Sequence, residues 1–180
     1  IKEETAIKAA SDKSHEADSL LFTDLKVLNE FQDAHKLRIK DNQIKTGFVA
    51  TGQVGITVTG KGIPLDAYKL DHACGAVEAA VIEQKDKDVV IVEGQGSILH
   101  PGSSATLPLM RGTCPTHMIL CHIARNDSLR SLENIKIPDL KKFITLNEEL
   151  SSVLGTYPKS KVIGVALNTV EMSDNEAKEF

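Results

Sequence analysis

No apolar run in the sequence approaches the ~18 residues that a membrane-crossing helix needs. The 21 basic residues are spread along the chain and never build a stripe, and the net charge is −4. Neither a membrane nor a nucleic acid is therefore an expected partner, since both leave a footprint in hydropathy or in clustered positive charge. Cysteine is scarce: Cys74, Cys114 and Cys121 are an odd, well-spaced set. Such a set argues against a disulfide framework and fits a reducing, cytoplasmic compartment. The spacing of Cys114, His117, Cys121 and His122 invites a zinc reading. However, "HMILCHIA" has the pattern of a strand, where adjacent side chains point to opposite faces, and tight zinc sites bring cysteines into closer pairs. Residues 1–41 hold neither glycine nor proline. No signal peptide or transit segment is expected from the opening residues.

What is present describes one globular α/β domain. The chain of 180 residues is 41% hydrophobic and 26% charged, enough for a real core. Leu21, Leu25, Leu28, Phe31 and Ile39 recur at nearly helical spacing and predict an N-terminal helix. Residues 44–50 predict a first strand, followed by a loop with four glycines from Gly52 to Gly62. Pro64 is placed to open the next helix, whose apolar face is Leu65, Leu70, Ala73, Val77, Ala80 and Val81. Val89–Val92 is a β-branched run of the kind buried on both faces of a parallel sheet. "HMILCHIA" supplies a third strand and residues 161–167 a fourth. Between them Pro138 precedes a helix carrying Leu140, Phe143, Ile144, Leu150 and Leu154, with Gly155 as its stop signal. The last residues have the pattern of an acidic helix. Strands separated by helical stretches imply a parallel sheet with helices on both faces.

In such sheets ligands bind beyond the carboxyl ends of the strands. The first strand ends in Thr51-Gly52-Gln53, the second in Glu93-Gly94-Gln95-Gly96-Ser97, and the fourth in Asn168-Thr169. The third ends around Cys121, His122 and Arg125. Glycine there lets backbone N–H groups approach an anionic ligand. Glu93 is a candidate metal holder through water, or a proton acceptor. His100 is a candidate acid or base, because imidazole titrates near neutrality. Asp66 and Asp71 lie five apart and do not share a helix face, so they are not a carboxylate dyad. Each feature also has a plain alternative: tight turns for Gly94 and Gly96, a loop role for His100, a solvated face for Asp71 and Glu78, strand termination for Asn168, and core packing for Cys74 and Cys121.

Five blocks, "FVATGQVGITVTGKGIPLDAY", "DHACGAVE", "VEGQGSILHPGSSATLPLMRG", "PTHMILCH" and "KVIGVALNT", together resemble the C-terminal domain of the DgcN-like family. The resemblance covers roughly residues 44–180. It implies a P-loop NTPase-like α/β domain, similar to that of dethiobiotin synthetase, which carries "VEGAGG" at the matching strand end. The implied activity is that of a D-glutamate N-acetyltransferase using acetyl-CoA. The implied catalytic residues are Glu93 and His100, with Glu93 also the metal position. Cofactor contacts are expected at Thr51, Gly52, Gln53, Gly94, Gln95, Gly96 and Asn168, and substrate contacts at Asp66, Asp71, Ser104, Arg111 and His122; the family blocks carry over all of these but Gly94, Gly96 and Arg111.

The chain departs from that family in two places. No Gly-Lys-Thr phosphate loop occurs before Gly47, where backbone amides at a helix start would ring phosphate oxygens. Arg111 stands where the family's "LLHG" has histidine. The expectation is a helical segment over residues 1–43, incomplete or rearranged, then a P-loop-type domain over 44–180 truncated at its C-terminal end. Three functions are carried forward. The first is an acetyl-CoA-dependent acyltransferase acting on a small amino acid. The second is an ATP- and Mg-dependent enzyme of the dethiobiotin-synthetase type, and the third a degenerate binding domain. A small-molecule substrate is common to the enzymatic readings, and a homo-oligomer is compatible with them.

Overall fold

A computed structural model describes residues 44–129 and 131–179. The helix expected over residues 21–39 lies outside them. The chain divides into two compact units, Ile1–Thr113 and Cys114–Phe180.

In the first unit, β1 (Thr46–Val49) and β2 (Val89–Val92) pair in parallel, in register from Thr46↔Val89 to Val49↔Val92. The ladder continues one step further, where the Glu93 N–H donates to the Val49 carbonyl at 2.9 Å. The expected burial of β2 on both faces is not met. Val89 is exposed and the other three residues are half-buried, because among the described residues β2 has a neighbour on one side only.

Two helical expectations in the crossover between these strands need correction. The glycine-rich stretch after β1 is not simply a loop, for Gln53–Thr59 forms a helix, α1. Gly52 is its N-cap and Gly60, at φ 73°, its C-cap, so two of the glycines punctuate a helix. Pro64 does not open the long helix. It precedes a short 3₁₀ turn, Leu65–Ala67, that carries Asp66, and α2 runs from Leu70 to Ile82. Leu70 is 57% exposed and lies off the core, while Ala73 and Val77 are buried. With Leu65, Ala105 and Leu109 they form the core cluster, the last two contributed around α3 (Thr106–Thr113). The aliphatic periodicity of α2 thus fixes the wall behind the carboxyl ends of β1 and β2.

In the second unit, β3 (His117–Ile123) and β6 (Lys161–Asn168) pair in parallel, with a register shift between Met118 and Ile119. Their crossover holds a feature absent from the sequence reading, an antiparallel hairpin of β4 (Ser128–Leu129) and β5 (Leu132–Lys136). α4 (Leu140–Ser152) follows, capped by Asp139, whose side chain accepts from the Lys142 N–H at 3.0 Å. It ends at Val153 rather than at Gly155, and Val153, Leu154 and Gly155 are all left-handed.

Glu148 ties α4 to the start of β6. Oε1 accepts from the Val162 N–H at 2.9 Å and Oε2 faces Lys161 Nζ at 3.3 Å. The backbone donor, more than the lysine, holds its carboxyl below the usual range. Ser151 and Ser160, both buried, add a hydroxyl–hydroxyl hydrogen bond beside it. The acidic helix expected near the end is α5 (Asp174–Glu179), opened by a capping box. There the Ser173 N–H donates to Glu176 Oε2 at 3.0 Å, and the Glu176 N–H donates to Ser173 Oγ at 3.4 Å.

Candidate active site

The site in the first unit is built around Glu93, which follows β2 directly and is 8% exposed. A carboxylate leaves water at large cost unless donors replace the solvent. Here the donors are backbone amides. The Thr51 and Gly52 N–H groups donate to Glu93 Oε2 at 2.8 and 2.9 Å, and the Gly55 N–H donates to Oε1 at 3.3 Å. The Thr51 hydroxyl returns a bond to the Glu93 carbonyl at 2.8 Å. The parallel register sets the two strand ends level, so the turn after β1 closes on the side chain after β2. The α1 N-terminus adds its partial positive charge to the same point.

Beyond Glu93 the chain makes a second knot. Gln95 is buried, and its Nε2–H donates to Asp66 Oδ2 at 2.6 Å. Gly96 follows at φ 67°. Ser103 Oγ accepts from the Ser97 N–H at 3.1 Å and lies 3.2 Å from Thr106 Oγ1, which donates in turn to the Gln95 carbonyl at 3.3 Å. The His100 ring is fixed locally, for Nδ1 accepts from the Gly102 N–H at 3.1 Å. In the neutral ring the proton then sits on Nε2, so that nitrogen donates.

Thr51, Gly52, Glu93, Gln95 and Asp66 therefore lie together, with hydrogen bonds from Thr51 and Gly52 to Glu93 and from Gln95 to Asp66. Gln53 and Gly94, their neighbours in the chain, are exposed. Asp71 is exposed on α2, on the solvated side, together with Glu78. Arg111 is half-buried on α3. Ser104 is exposed, and the hydroxyl that organises the loop is that of its neighbour Ser103. Sequence reasoning missed Ser103, Thr106 and the Gly55 amide. The Ser/Thr clustering over residues 97–106 was the available signal.

In the second unit the ends of β3 and β6 are level, with Ile123 opposite Asn168. Asn168 Oδ1 accepts from the Val170 N–H at 3.0 Å, which turns the chain after β6. Arg125 donates from both Nη1 and Nη2 to Glu176 at 3.3 Å. His122 is buried, and burial pushes its imidazole below the usual range and the Cys121 thiol above it. Among the described residues no group of three His, Cys, Asp or Glu side chains is placed to hold a metal, Cys114, His117, Cys121 and His122 included.

The His122 shift carries a pH signature. The unfolded chain protonates this imidazole near 6.5, the folded chain only at lower pH. Between those two values the unfolded state binds more protons, so stability rises with pH there. The contribution is intact above about 6.5 and declines as the pH falls through that value toward the folded pKa. Thermal melts of the wild type and His122→Leu at about pH 7.5 and 5.5 check this, and the variant should lose less stability on acidification. An equal loss in both proteins would assign the acid sensitivity elsewhere.

The donor set also bears on the expected cofactors. The amides that a phosphate would use at the start of α1 are taken by Glu93, so this turn does not fit a phosphate as it stands. Direct magnesium coordination by Glu93 fits no better, since Oε2 already accepts two short bonds and no cluster of further ligands surrounds it among the described residues. Nor is any helix among them long and apolar enough to cross a membrane.

Parallel strand pairs joined by helical crossovers, with polar groups gathered at the carboxyl ends, define an α/β protein. The chain belongs to the DUF1611 family: the family's C-terminal sequence profile, described as a domain of unknown function and a P-loop domain, matches residues 35–180. Among curated proteins it is 31% identical over 143 residues to the D-glutamate N-acetyltransferase of a Pseudoalteromonas species, covering 79% of this chain and 42% of that protein. It is 34% identical over 135 residues to the D-glutamate N-acetyltransferase of Tritonibacter scottomollicae, covering 74% and 40% respectively. The chain thus spans about two-fifths of the length of these relatives. The crystal structure of a DUF1611 family protein from Anabaena variabilis matches with a TM-score of 0.76 at 42% identity, over 79% of this chain and 42% of that one.

Proposed function

We propose that the protein moves an acetyl group from acetyl-CoA to the amino group of a small amino acid, with D-glutamate the first acceptor to test. The observation that carries this reading is the corner made by buried Glu93 and Gln95 with exposed Asp66 at its edge, which is rich in hydrogen-bond acceptors and suited to an amine. The names of the curated relatives support it. The reaction forms a bond from the amine nitrogen to the thioester carbonyl carbon and breaks the carbon–sulfur bond. The nitrogen gives up a proton and the departing thiolate takes one up. Glu93 Oε1, whose single bond to Gly55 is long, has capacity left to receive the amine proton. His100, in the tautomer set by Gly102, supplies an N–H suited to an oxygen that gains charge. Three free cysteines are in keeping with a reducing, cytoplasmic setting.

The test is a turnover assay of the protein with acetyl-CoA and D-glutamate, following free thiol and the N-acetylated product. Product formed in proportion to enzyme is the expected result. Absence of product, together with magnesium-dependent ATP binding, would overturn the reading in favour of a nucleotide-dependent enzyme.

A further inference from the structure

Gln95 is 6% exposed, and the orientation of its amide is decided by its partner. Asp66 Oδ2 accepts at 2.6 Å, so the NH₂ end must face Asp66 and Oε1 must point away. Oε1 is buried and accepts no hydrogen bond from any described residue. A buried acceptor left in that state costs stability and asks for a reason. A Cβ added to Gly52 would lie 2.7 Å from Gln95 Oε1 and 3.5 Å from Glu93 Oε1. Two acceptor oxygens therefore flank the bare face of one glycine. Among the described residues no Lys or Arg forms an ion pair with Glu93 or Asp66. The corner supplies acceptors and negative charge, which is the wrong complement for a phosphate and the right one for a cationic N–H donor.

We propose that Gln95 Oε1 and Glu93 Oε1 form a subsite for a primary ammonium group, with Asp66 as the positioning residue that aims the Gln95 amide. Oε1 is sealed from water as the turn stands, and the ammonium enters only when the Gly52 backbone shifts and its N–H gives up the bond to Glu93 Oε2. The subsite takes only the identity of the substrate from the acetyl-transfer reading. Its own content is a preference for an amine over the same molecule without one.

The experiment compares binding of D-glutamate with glutarate, D-alanine with propionate, and ethanolamine with ethanol, by calorimetry on the full protein. The wild type should prefer at least one amine over its counterpart by about tenfold or more, and Gln95→Met should abolish that preference while leaving the counterpart's affinity unchanged. The ligand-free variant should melt no lower than the wild type by more than a few degrees, because removal of the orphaned oxygen offsets the lost bond to Asp66. If Gln95→Met fails to fold, Asp66→Asn serves instead: it lets the Gln95 amide turn over and should weaken the same preference several-fold. A preference retained in the variant, or no amine preferred by the wild type, overturns the subsite. Turnover is scored separately. Acetyl transfer with Gln95→Met kinetics like the wild type's removes the subsite alone, and a Gln95-dependent amine preference without acetyl transfer removes the reaction alone.

Discussion

Glu93→Ala should lower the stability of the first unit by about 3 kcal/mol, a fall in melting temperature of roughly 10 °C. The variant removes the acceptor from three backbone amides in one step, those of Thr51, Gly52 and Gly55. Charge-assisted bonds of this kind contribute about 1.5–3 kcal/mol each when counted singly, and water entering the vacated space recovers part of the sum. Glu93→Gln should cost about half as much, since its oxygen still serves Thr51 and Gly52 while its NH₂ meets the Gly55 N–H, donor against donor. Activity should separate from stability in this pair. If Glu93 receives the amine proton, the glutamine variant folds and yet loses about 10²-fold or more in kcat. Equilibrium unfolding by urea, paired with the turnover assay at a temperature where both variants are folded, measures both effects. A glutamine variant with wild-type kcat would leave Glu93 as a structural anchor only.

The second large effect is at Gly55. An alanine there gains up to about 1 kcal/mol of helix propensity, being inside α1. Against this, its Cβ would lie 2.7 Å from Glu93 Cδ and 3.0 Å from Ala50 Cβ. Neither neighbour can retreat: Ala50 is buried directly after β1, and the Glu93 carboxylate is held by the amides. Overpacking of a tight site costs about 1–3 kcal/mol, and a displaced carboxylate forfeits bonds as well, so the steric term wins. The net expectation is a loss of about 2–3 kcal/mol in a urea titration. Gly75 is the control. It lies inside α2 with nothing within 4 Å of an added Cβ, so Gly75→Ala should stabilise by about 0.5–1 kcal/mol. Opposite signs for one chemical change at two helical glycines are the expected pattern, and equal signs would contradict the packing described around Glu93.

Much of this arrangement was legible in the residues themselves. The β-branched run Val89–Val92 and the apolar stretch His117–Ile123 are strands where their patterns place them, and α4 begins after Pro138 with Asp139 as its cap. The meeting of Thr51 with Glu93 follows from parallel pairing, which the helical spacers imply. What was not legible has identifiable causes. Gly52 and Gly60 suggested a loop because glycine marks caps and loops alike, and α1 between them is only two turns long. Pro64 promised a helix start but opened a 3₁₀ turn, which left Asp66 free to reach Gln95. Ser103 and Ser104 cannot be told apart in sequence; only the left-handed Gly96 and the return of the chain bring one hydroxyl, that of Ser103, to the Ser97 amide. Val153 ends α4 in a conformation that β-branched residues avoid, so Gly155 was the better guess on propensity and the wrong one.

The most direct check is a comparison of backbone amide resonances in the wild type and Glu93→Gln. Charge-assisted bonds as short as those of Thr51 and Gly52 should draw their amide protons downfield and slow their exchange with solvent. The substitution should move both upfield, with Gly55 shifting less, while amides of the β3–β6 ladder stay in place. Thr51 and Gly52 signals that do not respond to the loss of the carboxylate would mean that Glu93 does not sit on this turn.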